Sequence, residues 1–176
     1  MYWYPILRKN YYALDAARSL TNGTAAQSIF GVGFSCDAGT IYEFEAFVAL
    51  ATGTTSHNVS TTFLAGGSLT LTASSIYTTF SPSTNGGTGG ADSSAFSTGT
   101  SSGGVLSAIR LNSTASTTAS KGFMLRGIVR VNAAGTLTPQ LTFSAAPGGT
   151  NTVAAESWIT FTKLGSNTQT KIGPWA

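Results

Sequence analysis

From residue 41 to residue 51 the chain alternates with period two. Tyr42, Phe44, Ala46, Val48 and Leu50 fall on one side, and Glu43 and Glu45 on the other. Successive side chains of a strand point to opposite faces, whereas a helix repeats every 3.6 residues, so this pattern predicts a half-buried strand. The alternation returns over 122–132, where Phe123, Leu125, Gly127, Val129 and Val131 lie opposite Arg126 and Arg130. It returns again where Leu137, Pro139, Leu141 and Phe143 share a face. A proline has no N–H to give to a ladder, so this last strand is expected at a sheet edge or a bulge.

Further strand patterns cover 27–35, 57–64, 68–80, 105–112, 157–164 and 168–175. Glycine, proline and asparagine separate them, as in Ala65-Gly66-Gly67 and Asn132-Ala133-Ala134-Gly135. About eight to nine short strands, with turns every eight to twelve residues, predict an all-β sandwich. No Cys–Trp–Cys frame marks an immunoglobulin domain, so the expectation is a single β-sandwich of jelly-roll type over 28–176, preceded by an extended N-terminal arm over 1–27.

The composition suits that fold. The 176 residues make one domain, long enough to bury roughly 70% of the unfolded surface in one core. Only 9% are charged, yet 41% are hydrophobic, so the low charge is not a sign of disorder. Thr, Ser and Gly fill the gap, which predicts hydroxyl-rich outward faces. A surface so poor in charge is weakly defended against association, and permanent assembly is expected. The net charge is +3 and its basic residues are scattered apart from Arg8-Lys9, so no nucleic-acid stripe is visible. No apolar run approaches the roughly 20 residues of a membrane helix. The N-terminal residues lack the layout of a signal peptide, so secretion by the general pathway is not expected.

Two segments stand apart. Tyr2, Trp3, Tyr4, Tyr11 and Tyr12 crowd into the first twelve residues, with Pro5 and the Arg8-Lys9 pair. Large rings with a polar edge are favoured at interface hot spots, and basic residues steer docking. The expectation is an arm that buries Tyr2, Trp3, Tyr4, Tyr11 and Tyr12 in a partner, with Arg8 and Lys9 fixing it. The alternative is an arm folded back on its own sandwich. Residues 81–104 are a Gly/Ser/Thr-rich stretch, read as a flexible loop that either touches a receptor or is a tolerated surface excursion.

Little here points to catalysis. Glu43 and Glu45 share a strand face about 7 Å apart, a spacing that inverting glycosidases use. They are read instead as partners for Arg126 or Arg130, or as facing water or a subunit. A lone histidine, His57, has no second ligand or triad partner. The lone Cys36 rules out an intramolecular disulfide, and Asp37 beside it disfavours a thiolate. The glycine-rich stretches at 86–90 and 147–149 do not lead from a strand into a helix with GK[ST], so no phosphate cradle is read there. No catalytic residue, cofactor or metal is expected.

Four motifs carry a resemblance. They are Tyr42-Glu43-Phe44-Glu45-Ala46, Gly127-Ile128-Val129-Arg130-Val131-Asn132, Ser144-Ala145-Ala146-Pro147-Gly148-Gly149 and Gly173-Pro174-Trp175. Together they resemble a β-module at the C-termini of tailed-bacteriophage virion proteins, over about residues 20–176. The resemblance implies a jelly roll, commonly trimeric, exposed on the phage particle and made in the host cytoplasm, with no catalytic residues. Family members usually append the module to a longer fibre or tail protein, and here it makes up nearly the whole sequence. A small domain with an arm fits a capsid decoration (cement) protein bound to the major capsid protein. A tail or head fibre component that meets a host-surface glycan or receptor is the alternative. Neither role implies nucleic acid or membrane as a partner.

Overall fold

Alternating Val, Ile, Phe, Tyr and Thr runs build strands because their branched or flat side chains pack on a pleated surface. A computed structural model describes residues 9–83, 93–101, 108–111, 115, 117 and 120–171. Among these it places thirteen strands and no helix. They are β1 (Lys9–Ala13), β2 (Arg18–Leu20), β3 (Gln27–Ser28), β4 (Phe34–Cys36), β5 (Thr40–Ala51), β6 (Val59–Gly66), β7 (Thr70–Ser83), β8 (Ser93–Ser101), β9 (Ile109–Arg110), β10 (Ser120–Ala133), β11 (Gly135–Phe143), β12 (Asn151–Val153) and β13 (Trp158–Ser166). Eight are five residues or longer, and the other five have only two or three. Six of the long ones, β5, β6, β7, β10, β11 and β13, fall on expected strands, whereas β1 and β8 do not, and among the described residues the strands expected over 27–35 and 105–112 are only the short β3, β4 and β9.

The strands form two antiparallel sheets. The larger runs β1-β13-β5-β10-β7-β8, with β12 also on β5 and β2 on β12. The smaller runs β3-β11-β6-β9, with β4 also on β11. With β3 and β4 counted as one interrupted strand, and the hairpin β7–β8 and the short β2 and β12 set aside, eight successive strands remain. The larger sheet then holds the first, eighth, third and sixth, and the smaller the second, seventh, fourth and fifth. This is the jelly-roll order, in which the chain crosses between sheets at nearly every connection. The β7–β8 hairpin is an insertion that widens the larger sheet beyond β10.

The predicted face of β5 turns inward: Tyr42, Phe44, Ala46, Val48 and Leu50 are all buried. So are Phe123, Leu125, Val129 and Val131 of β10, and Leu137, Leu141 and Phe143 of β11. Phe44 bridges the sheets, edge-on to Phe63 at 5.0 Å between ring centroids. Burying such a ring stabilises the fold by about 2–3 kcal/mol. Gly127 makes room for it. A Cβ there would lie 2.8 Å from Phe44 Cζ and against the Ser75 carbonyl.

Several sequence expectations are corrected. Pro139 lies in an interior strand, because β11 has β6 on one side and β3 and β4 on the other. Its carbonyl accepts from Ile29 N at 2.9 Å, so its nitrogen points the same way, into the gap where β3 ends and β4 has not begun. The proline is tolerated where the ladder is interrupted, and the expected strand over 27–35 is split there by Gly31, whose φ is +75°. Part of the expected loop over 81–104 is strand: β7 runs to Ser83, and Ser93–Ser101 forms β8 against it. Thr and Ser take a strand readily when a neighbouring strand offers a ladder. Residues 84–92 and 102–104 lie outside the described residues. Of the strand expected over 168–175, residues 168–171 are turn and coil, and the rest lies outside the described residues.

Candidate interaction surface

The residues expected to carry binding begin at the N-terminus. Tyr2, Trp3, Tyr4 and Arg8 lie outside the described residues. Lys9, Tyr11 and Tyr12 sit in β1, which pairs with β13 through Lys9↔Thr162, Tyr11↔Thr160 and Tyr12↔Ile159. From Lys9 onward the expected arm is therefore an edge strand of the larger sheet. β2 and β3 likewise pair within the sandwich, so the boundary at residue 27 separates no structural unit. The cause is in β1 itself. Asn10 Nδ2 donates to the Phe161 carbonyl at 3.3 Å, Tyr12 meets Phe30 edge-on at 6.1 Å and Leu14 is buried.

Period two splits β1 between two surfaces. Tyr12 points toward the space between the sheets, where it lines an apolar groove of about 320 Å³ with Phe30, Val32, Phe34 and Phe161. Tyr11 points outward, 64% exposed, and stacks on Trp158 at 6.3 Å.

The register extends that outer face across the sheet. Tyr11, Thr160, Glu45, Arg126, Tyr77 and Phe96 are successive Cα partners on β1, β13, β5, β10, β7 and β8. The next row on one side holds Lys9, Thr162, Glu43, Ile128 and Ser75. On the other side lie Trp158, Phe47, Met124 and Thr79. Glu43 and Glu45 are thus brought together with Lys9, Tyr11 and Arg126. Arg126 Nη2 pairs with Glu45 Oε1 at 2.5 Å, as the cross-strand reading expects. Arg130 goes elsewhere: it donates to the carbonyls of Asn167 and Gln169 and ties down the chain after β13.

The other residues singled out sit within the sandwich or at its loops. His57 is fully buried, edge-on to Phe143 at 5.3 Å, with Nδ1 2.6 Å from the Thr55 carbonyl. Burial holds its pKa below the usual histidine value. Burial, and then the charge of Asp37, push the Cys36 thiol up to about 12. Asp37 serves Tyr42, whose hydroxyl donates to it at 3.2 Å, and Lys163, whose ammonium donates at 2.9 Å and holds the carboxyl below its usual range. Among the described residues no group of three or more His, Cys, Asp or Glu is placed to hold a metal ion. Nor do the described residues hold a helix long and apolar enough to cross a membrane.

The motif Ser144-Ala145-Ala146-Pro147-Gly148-Gly149 acts as a clamp on the loop after β5. The Pro147 carbonyl accepts from Thr55 N at 2.9 Å, and Ser144 Oγ accepts from Asn58 N at 2.8 Å. Gly53 packs so closely that a Cβ would run into the Gly148 carbonyl. Under this clamp lies Lys121, a residue that no sequence motif singled out. It is buried, donates to Thr52 Oγ1 at 2.6 Å, and has its pKa brought down to about 8 by burial.

No family model matches the chain, and no curated protein matches it. Among solved structures, a chain of "Structure of infectious bursal disease virus Gx strain" is similar, at 12% identity and a TM-score of 0.23. The match covers 93% of this chain and 44% of that one, so this chain spans less than half the length of the viral one. A likeness this low carries no argument.

Proposed function

We propose that this chain is a non-enzymatic structural protein of a tailed-bacteriophage virion. Its role is capsid decoration: as a homo-oligomer, a trimer in our reading, it binds the major capsid protein on the outside of the shell. The observation that carries this reading is where the resembling motifs fall. Residues 42–46 and 127–132 lie on the adjacent strands β5 and β10, and residues 144–149 form the clamp at one end of the same jelly roll. The three motifs that fall among the described residues therefore lie in the framework of the jelly roll.

The work of such a protein is binding energy. It makes contacts that exist only on the intact shell, so by mass action its binding stabilises the assembled state. A second reading, a tail or head fibre component that meets a host glycan or receptor, draws on the β7–β8 hairpin, which sits at the edge of the larger sheet.

Quantitative mass spectrometry of purified particles, referred to the major capsid protein, tests both readings. Hundreds of copies in a simple ratio to the capsid protein are expected. A few dozen or fewer would move the chain to the tail or fibres. Absence from the particle would overturn the virion role.

A further inference from the structure

We propose that the outer face of the eight-stranded sheet is where a second copy of this chain docks. The inference rests on the reading above only in taking the working form to be an oligomer, and it departs from the trimer proposed there, because a face that docks on its own copy is two-fold and closes as a dimer.

Tyr11, Phe47, Tyr77 and Ile128 all stand on this face, and each is more than a third exposed. Tyr11 stacks on Trp158, the Cα partner of Phe47, so part of this exposed apolar surface is contiguous, and contiguous exposed patches mark interaction sites. Four adjacent strands, β13, β5, β10 and β7, span about 19 Å, and nine residues of strand run about 30 Å, so the face offers about 600 Å² per copy. Two such faces would bury about 1,200 Å², the lower end of the range for specific, stable interfaces.

The charges indicate what covers it. Lys9, Thr162 and Glu43 are Cα partners in one row, which sets Lys9 and Glu43 about 10 Å apart across β13. Neither belongs to an ion pair among the described residues. Glu45 and Arg126 already neutralise each other beside them. Among the described residues the face therefore presents one charge of each sign outside an ion pair, set among apolar side chains. A second copy supplies the complement to both: Lys9 of one copy meets Glu43 of the other. An unrelated partner would have to reproduce that pairing by a separate arrangement.

Sedimentation velocity on the full chain over a concentration series tests this. The wild type is expected to associate. Ile128→Arg and Tyr77→Asp are expected to weaken association by about tenfold or more, with circular dichroism and Tm retained. Lys9→Glu and Glu43→Lys are each expected to weaken it. Mixing those two variants is expected to restore it, because opposite charges then face each other between copies. A monomeric wild type, variants that associate like the wild type, or a mixture no better than either variant alone would overturn the proposal. Particle incorporation of the same proteins separates the two readings. Incorporation of a monomeric wild type sinks the docking and leaves the virion role standing. An oligomer that never enters particles does the reverse.

Discussion

Lys121 occupies the end of an inward-facing row, where an ammonium loses most of its water. Its depressed pKa makes its effect on stability predictable in sign. The unfolded chain binds this proton up to about pH 10.5, whereas the folded chain releases it near 8. Between those values the unfolded state holds more protons, so stability rises with pH, by about 3 kcal/mol over that window. Cys36 acts in the opposite direction. Its thiol ionises near 9 when unfolded and near 12 when folded, so its contribution is lost as pH rises above 9. The difference between wild type and Lys121→Met isolates the lysine. In urea unfolding from pH 7.5 to 10.5 the wild type should gain about 3 kcal/mol on the variant, and parallel curves would contradict the burial. His57 governs the acid side. Its folded pKa is lowered, so its contribution is present above about 6.5 and is lost as pH falls toward the folded value. His57→Gln should flatten that acid limb in the same experiment. Lys121 was within reach of the sequence. It stands in phase with Phe123 and Leu125, two and four residues on, but a strand expected to begin at Gly122 leaves it out. Period two extended by one residue predicts it buried. His57 gave no such signal, because the clamp that buries it joins segments nearly ninety residues apart, as in the Asn58–Ser144 bond.

At the level of strands, the long alternating runs were legible because each has one buried face, which pins register as well as identity. β5, β10 and β11 are of this kind. β1 was not, because Lys9-Asn10-Tyr11-Tyr12-Ala13 shows crowded aromatics without a clear period, which reads as an arm. Its place depends on an open edge of β13 that no local pattern reveals. Deleting residues 1–13 should therefore do more than remove a docking handle. It takes away two aromatic contacts, each worth about 0.5–1.5 kcal/mol, and exposes the edge of β13. A fall in Tm of about 5–10 °C is expected by differential scanning fluorimetry. An unchanged Tm would return β1 to the status of a free arm. Gly127 gives a second test, in the middle of β10. Gly127→Val puts side-chain atoms against Phe44 and the Ser75 carbonyl and should cost about 1–3 kcal/mol in urea unfolding. The same change at Gly23, where a Cβ meets nothing within 4 Å, should cost less than about 0.5 kcal/mol.

For the molecule as a whole, the jelly-roll order needs β1, which the sequence did not show, beside the strands it did, and the inserted hairpin was hidden as well. Ser93–Ser101 is polar and glycine-bearing, and such a stretch becomes a strand only because β7 runs on beside it. The candidate interaction surface was half visible. Glu43, Glu45 and Arg126 were readable as one cross-strand cluster, whereas bringing Tyr11, Phe47, Tyr77 and Ile128 onto one face required the pairing of five strands. The proposed function rests on the four motifs alone. The three of them among the described residues lie in the framework of the fold, which fits a protein proposed to add contacts to a larger assembly. The central claim is that those contacts hold a capsid together. Its most direct test is the temperature at which particles release their genome, measured with a DNA-binding dye on particles assembled with and without this chain. Particles that lack it are expected to release earlier, with the original temperature restored when purified protein is added back. The same release temperature with and without the protein would contradict it.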